Sequence, residues 1–201
     1  MRVSRIQAEE NRQKVIDVAS RLFREHGFDG IGLKDLMEGA GLTQGAFYKQ
    51  FASKDDLVAQ ASSRAFEKAF SRWTAAAVAN PEDPLAAVMA FYLSMGHREE
   101  RMDGCPIVAL GSDAARQGTN VKASFEAGIK AHLEILGPMV AETKGKAAKS
   151  KAMAILSLMV GALVLARAVN DERLSKQFLQ AGAEGIRAAL SNGGAQSQAR
   201  P

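Results

Sequence analysis

The chain has a single cysteine, Cys105, which excludes an intrachain disulfide framework and a multi-thiolate metal site and points to a reducing cytoplasm. Prolines number five, and no stretch sustains the period-two alternation of a half-buried strand. The 3.6-residue period of helices is left as the organising pattern. The N-terminal stretch "MRVSRIQAEENRQK" lacks the apolar core of a signal peptide. The longest uncharged apolar run, residues 152–166, is 15 residues, where a membrane span needs about 20. It reads as a buried helix, and no membrane partner is expected. His26, His97 and His132 are scattered, with no ligand partner three or four residues away. Asp55 and Asp56 fall in a helix first turn, where negative charge suits the helix dipole. Neither a metal site nor an enzyme's constellation is therefore expected, and no cofactor.

Charge of one sign is also missing. Lys+Arg total 26 against 22 Asp+Glu, a formal net charge of +4, and residues 1–72 hold 12 basic against 10 acidic side chains. The isoelectric point of about 9.3 is compatible with a polyanionic partner, but any nucleic-acid reading has to rest on motif geometry.

What the chain has is 47% hydrophobic content in helical stripes, so an all-α fold of about nine helices in two parts is expected. Val15, Val18, Ala19, Leu22 and Phe23 predict a first helix over residues 8–26, stopped at Gly27. Leu33, Leu36, Met37 and Ala40 form a second, closing at Gly41. Thr43 is a natural N-cap for a third short helix over 44–50. Ser53 and Asp56 have the spacing of a capping box at the head of a fourth, running to about residue 78. "NPEDP" then marks the domain boundary. Helices follow Pro84 and Pro106 at first-turn positions, and a long one runs from Thr119 or Asn120 to about 141, with Gly137-Pro138 as a kink. The last two cover 146–169 and 172–190. "ETKGKAAKSK" reads as a charged connector or a frayed helix start and "SNGGAQSQARP" as a disordered tail. The expected division is 8–72, 73–190 and a tail 191–201.

Two short helices joined by a tight glycine-containing turn, behind a supporting helix, are what a helix-turn-helix requires. In the third helix Ala46, Phe47 and Phe51 point to a core with Leu22, Phe23, Leu36 and Leu57, leaving Gln44, Gly45, Tyr48 and Lys49 on the other face. Glutamine can bond bidentately to adenine, Lys49 can meet a guanine acceptor or a phosphate, and Tyr48 can donate to a phosphate or pack on a thymine methyl. Gly45 costs about 1 kcal/mol against alanine in a helix; the absence of a side chain there lets the backbone approach a groove.

The segment "KVIDVASRLFREHGFDGIGLKDLMEGAGLTQGAFYKQFASKDDLVAQA" closely resembles the TetR/AcrR family of bacterial transcription regulators. The shared features are the first-helix spacing, the G-F turn, the A-G-L-T turn, the Q-G-A-F-Y-K-Q-F recognition helix and the S-K-D-D-L start of the fourth helix. The resemblance implies double-stranded operator DNA as partner, with Gln44, Gly45, Tyr48 and Lys49 at the contacting positions and Lys54 meeting the backbone. Lys34 and Thr43 complete the DNA-facing set. Gly32 departs from the family pattern, which often has Ser or Thr there, so only its backbone N–H is available to a phosphate. Arg2 and Arg5 are candidates for an arm.

The resemblance also implies a homodimer, since two recognition helices must meet two half-sites. The last two helices carry small residues, among them Ala154, Gly161, Ala162 and Ala166 on one and Gly182, Gly185 and Ala189 on the other, which pack either between or within subunits. A small apolar or aromatic effector is the further implied partner. Its candidate lining is Trp73, Phe91, Tyr92 and Met95, together with Met102, Cys105, Met159 and Leu163, against plain core packing. Cys105, in "DGCPIV" beside a helix N-terminus, reads either as a redox or electrophile sensor or as an inert thiol. The expected function is a ligand-responsive DNA-binding regulator, most often a repressor in this family. The alternative is a small-molecule-binding or interaction protein on the same scaffold without operator recognition.

Overall fold

The computed structural model describes residues 4–140 and 146–195. Every regular element among them is helical: α1 (Arg5–His26), α2 (Leu33–Gly39), a 3-10 helix (Gln44–Lys49), α3 (Lys54–Ala79), α4 (Pro84–Tyr92), α5 (Met95–Glu99), α6 (Pro106–Ala114), α7 (Thr119–Val140), α8 (Lys146–Ala168) and α9 (Glu172–Ala195). They sort into two compact units, each discontinuous in sequence: one reaches Ala69 and adds Arg101–Ile129, the other takes Phe70–Glu100 and the chain from Lys130. This differs from the linear boundary expected at residue 72. α6 and the first half of α7 carry apolar residues that complete the first unit's core.

In that first unit, Leu110, Ala114, Val121 and Phe125 are buried with Phe23, Phe28, Leu36, Phe47 and Leu57. Phe125 meets Phe28 and Phe66 edge-on, with centroids 6.4 and 5.1 Å apart. α1 begins three residues earlier than its stripe suggests, because the Ser4 side chain accepts from the Gln7 N–H at 3.1 Å and caps it. It stops at Gly27, whose φ of 78° suits glycine. The buried Arg24 then ties the helix end to the turn before α6, donating to the Ser20 and Gly104 carbonyls at 2.8 Å each. Asp113 of α6 accepts from the Phe28 N–H at 3.2 Å.

In the second unit Trp73 is buried against Tyr92 and His132, at centroid distances of 5.5 and 4.7 Å. The short α5 is an element the stripes did not reveal. Ser94 makes it: its Oγ donates to the Phe91 carbonyl at the end of α4 and accepts from the His97 N–H. α5 and α8 then cap each other. Arg98 donates to the Ala166 and Val169 carbonyls, while Arg167 donates to those of His97, Arg98 and Glu100. α8 and α9 approach so closely at Gly182 that a Cβ there would lie 2.6 Å from the Ala162 Cβ.

Two further boundaries differ from expectation. α6 ends at Ala114 and tightens into turns instead of reaching residue 117. α9 continues to Ala195, so residues 191–195 of the expected tail are helical. Ser191 Oγ donates to the Arg187 carbonyl at 3.1 Å, and no proline interrupts the ladder before Pro201. α8 is not wholly buried: by length and composition it could cross a membrane, yet it buries one face and exposes Met153, Leu158, Val164 and Leu165. α7 runs through Pro138 to Val140. Residues 146–151 of the expected connector form the start of α8, while Arg2, residues 141–145 and residues 196–201 lie outside the described residues.

Candidate nucleic-acid interface

α2 starts at Gly32, which offers no side-chain cap; a Cβ there would meet only Asp35 Oδ2, at 3.4 Å. The helix is closed by Gly41, with φ of 72°, and by a Leu42 N–H to Met37 carbonyl bond of 2.9 Å. This reversal is what a Schellman-type stop provides. Thr43 follows in extended backbone but makes no side-chain cap bond, contrary to the N-cap expected of it.

The recognition segment is a 3-10 helix over Gln44–Lys49, not the α-helix expected over 44–50. Its bonds show why: Ala46 N–H to Thr43 O and Gln50 N–H to Phe47 O are three-residue bonds, and only Phe51 N–H to Phe47 O spans four. Six residues with a glycine second have little intrinsic helical stability. Tertiary anchoring supplies it. Phe47 and Phe51 are buried and stacked at 5.4 Å, and Ala46 packs half-buried beside them.

The opposite face is open. Gln44, Gly45 and Lys49 are exposed, and Tyr48 is 71% exposed while its ring stands edge-on to Phe47 at 5.3 Å. A Cβ built on Gly45 would meet nothing within 4 Å, so no internal contact requires glycine there.

Side chains behind this face hold it in place. Arg12 of α1 lies over the Phe51 ring at 5.3 Å, bonds Gln60 Oε1 at 2.6 Å and reaches the Gln50 carbonyl at 3.4 Å. It clamps the end of the recognition segment to α3, a role that spacing alone did not reveal. Ser53 Oγ accepts from the Asp56 N–H, and Asp56 Oδ2 accepts from the Ala52 N–H, both at 3.1 Å. The capping box thus closes one residue farther out than the usual pattern. Lys54 donates to the Ile31 carbonyl at 3.1 Å, tying the head of α3 to the loop before α2. Lys34 is exposed, 3.9 Å from Glu38, and Arg5 is exposed at the head of α1. Deeper along α1, burial pushes the Asp17 carboxyl up, but hydrogen bonds from Lys68 and Arg64 more than offset it and hold it below the ordinary carboxylate range. That ion cluster fastens α1 to α3. The assembly offers donors, acceptors and one aromatic ring on one exposed face, the equipment for reading base edges and phosphates.

The residues considered for an effector fall in both units, and Trp73 and Tyr92 meet edge-on within the second. Met102 and Cys105 belong to the first unit and the others to the second. Trp73, Tyr92, Met159 and Leu163 are buried in the second unit's interior, Phe91 stacks on His97 at 5.2 Å, and Met95 lines a groove of that unit. Cys105 is buried at the head of α6.

Residues 15–61 match the family model for bacterial regulatory proteins of the tetR family. The transcriptional regulator AcrR of Shigella flexneri is 39% identical over 59 residues, which is 29% of this chain and 27% of that protein. The transcriptional repressor KstR2 of Mycobacterium tuberculosis is 26% identical over 122 residues, 59% of this chain and 58% of that one. The matches therefore span about a quarter and just over half of these relatives' lengths. Among solved structures, a TetR-family regulator from Cytophaga hutchinsonii shares the fold with a TM-score of 0.75 at 19% identity, over 96% of this chain and 98% of that chain. The chain thus matches the tetR-family model over its helix-turn-helix segment and shares the helical architecture of this solved regulator along nearly its whole length.

Proposed function

We propose that this protein is a dimeric, ligand-responsive DNA-binding regulator of transcription, acting in the cytoplasm as a repressor that leaves its operator when a small molecule binds. The observation that carries the reading is the outward face of Gln44, Gly45, Tyr48 and Lys49 on a segment anchored from behind by Phe47 and Phe51. Gln44 reads a base edge, Tyr48 and Lys49 meet phosphates or bases, and the bare backbone at Gly45 permits close approach. Lys34, Thr43 and the Gly32 N–H serve the flanking backbone, and Lys54 acts by fixing the loop that presents them.

A dimer follows from the need to place two such segments about 34 Å apart on one face of the duplex. Leu158, Gly161 and Leu165 on α8, and Leu174, Phe178 and Ala181 on α9, make an apolar stripe of small and large residues that a second copy would cover. α3 contributes residues to both units and is the natural carrier of a population shift between DNA-competent and incompetent forms. A second reading, a ligand-binding scaffold without operator recognition, draws on the uncapped Gly32.

A mobility-shift titration on DNA upstream of the protein's own and neighbouring genes separates the two. The regulator reading expects sequence-selective, salt-dependent binding that Tyr48→Ala and Lys49→Ala each weaken. A protein with no shift to lose supports the scaffold.

A further inference from the structure

The second unit contains a groove of about 480 Å³ between α4 and α9, within the range of small-molecule sites, about 300–1,000 Å³. Its floor is apolar: Leu85, Met89 and Leu179 line it and are themselves buried. On the α9 side the lining runs from Lys176 to Leu190, a path of about 21 Å along the helix axis. That length suits an extended chain better than a compact ring system.

The groove's charges are unequal in availability. Asp83 is spent on the N-cap of α4, accepting from the Ala86 N–H at 2.9 Å, and Lys176 is hydrogen-bonded to Glu172. Arg187 is exposed, and among the described residues no ion pair engages its guanidinium. Lys151 donates to the Leu190 carbonyl at 3.3 Å, bringing a second cation to the same end. A guanidinium at the end of an apolar trough is complementary to a carboxylate on an apolar chain.

The groove also stays open in the assembly proposed above. At 100° per residue, Lys176, Gln180 and Arg187 lie roughly opposite Leu174, Phe178 and Ala181 around α9, so covering the latter face leaves the former free.

We propose that this groove binds an elongated amphipathic carboxylate, with its chain along Leu85, Met89 and Leu179 and its head group on Arg187. That such a ligand is the effector rests on the reading that DNA binding is ligand-responsive.

Calorimetric titration of the full-length protein with decanoate and with decan-1-ol tests the site directly. Decanoate is expected to bind saturably at one site per chain. Arg187→Gln should weaken it about tenfold while leaving decan-1-ol binding and the melting temperature unchanged. Ala90→Trp, a change at an exposed lining position, should block both ligands without unfolding the protein. No decanoate binding, or binding that neither substitution alters, overturns the site. The same samples titrated onto operator DNA keep the two readings apart. Ligand-free protein that fails to bind DNA counts against the regulator and leaves the groove standing, whereas groove binding that does not change DNA affinity overturns its role as effector site.

Discussion

At Gly45 two energies oppose each other. Nothing in the fold needs a glycine there, since a Cβ would meet no atom within 4 Å, and alanine favours helical backbone by up to about 1 kcal/mol. Gly45→Ala should therefore leave chemical denaturation unchanged or slightly more resistant, yet weaken operator binding by standing between backbone and groove. An alanine variant with wild-type DNA affinity would reduce the glycine to a tolerated neighbour of the contacts. His97 makes a different residue-scale case. Burial pushes its pKa from 6.5 down to about 4, although a hydrogen bond to the Tyr92 carbonyl at 2.8 Å and the nearby Glu100 favour the charged form. A carbonyl can only accept, so the neutral ring donates through Nδ1. Because the unfolded chain takes up a proton that the folded chain refuses, stability should rise with pH between about 4 and 6.5 and level off above that. The span is on the order of 3 kcal/mol. Urea unfolding at a series of pH values checks it, and His97→Gln should flatten that rise.

At the scale of elements, the sequence is clearest where apolar stripes are long. The bounds of α1, α3, α7 and α8 were legible to within a few residues, because spacing, caps and prolines all agree there. The recognition segment was legible in its faces but not in its helix type. Which side of Phe47 is buried follows from pattern, whereas the choice between 3-10 and α geometry in six residues is made by packing. α5 was invisible because no stripe fits in five residues, and Ser94 as a shared terminus is apparent only once both helix ends are seen. Two glycines that look alike in sequence are separated by the α8–α9 packing. A Cβ at Gly182 would press on Ala162 at 2.6 Å, while one at Gly161 meets nothing within 4 Å. Gly182→Ala should accordingly lower stability by about 1–3 kcal/mol. Gly161→Ala should be neutral or slightly stabilising for the fold, with its effect appearing in the dissociation constant of the proposed dimer. Thermal melts and sedimentation of the two variants distinguish these outcomes.

For the whole molecule, linear reading divided the chain once, but contacts divide it by interleaving. Residues 101–129 return to the N-terminal helices, and no local signal in Leu110 or Phe125 tells which core they join. For the same reason the effector candidates fall in both units: Cys105 and Trp73 are similar as apolar letters and belong to different ones. At this scale one unit carries the exposed face of Gln44, Gly45, Tyr48 and Lys49 and the other an exposed apolar stripe, which the proposed function takes as the DNA contact and the seat of a second copy. Selection of bound sequences from a random duplex pool by the full-length protein tests that pairing most directly. The account predicts enrichment of an inverted repeat whose half-sites are about one helical turn apart or a multiple of it, with enrichment lost in Lys49→Ala. A wild-type protein that enriches no sequence would contradict it.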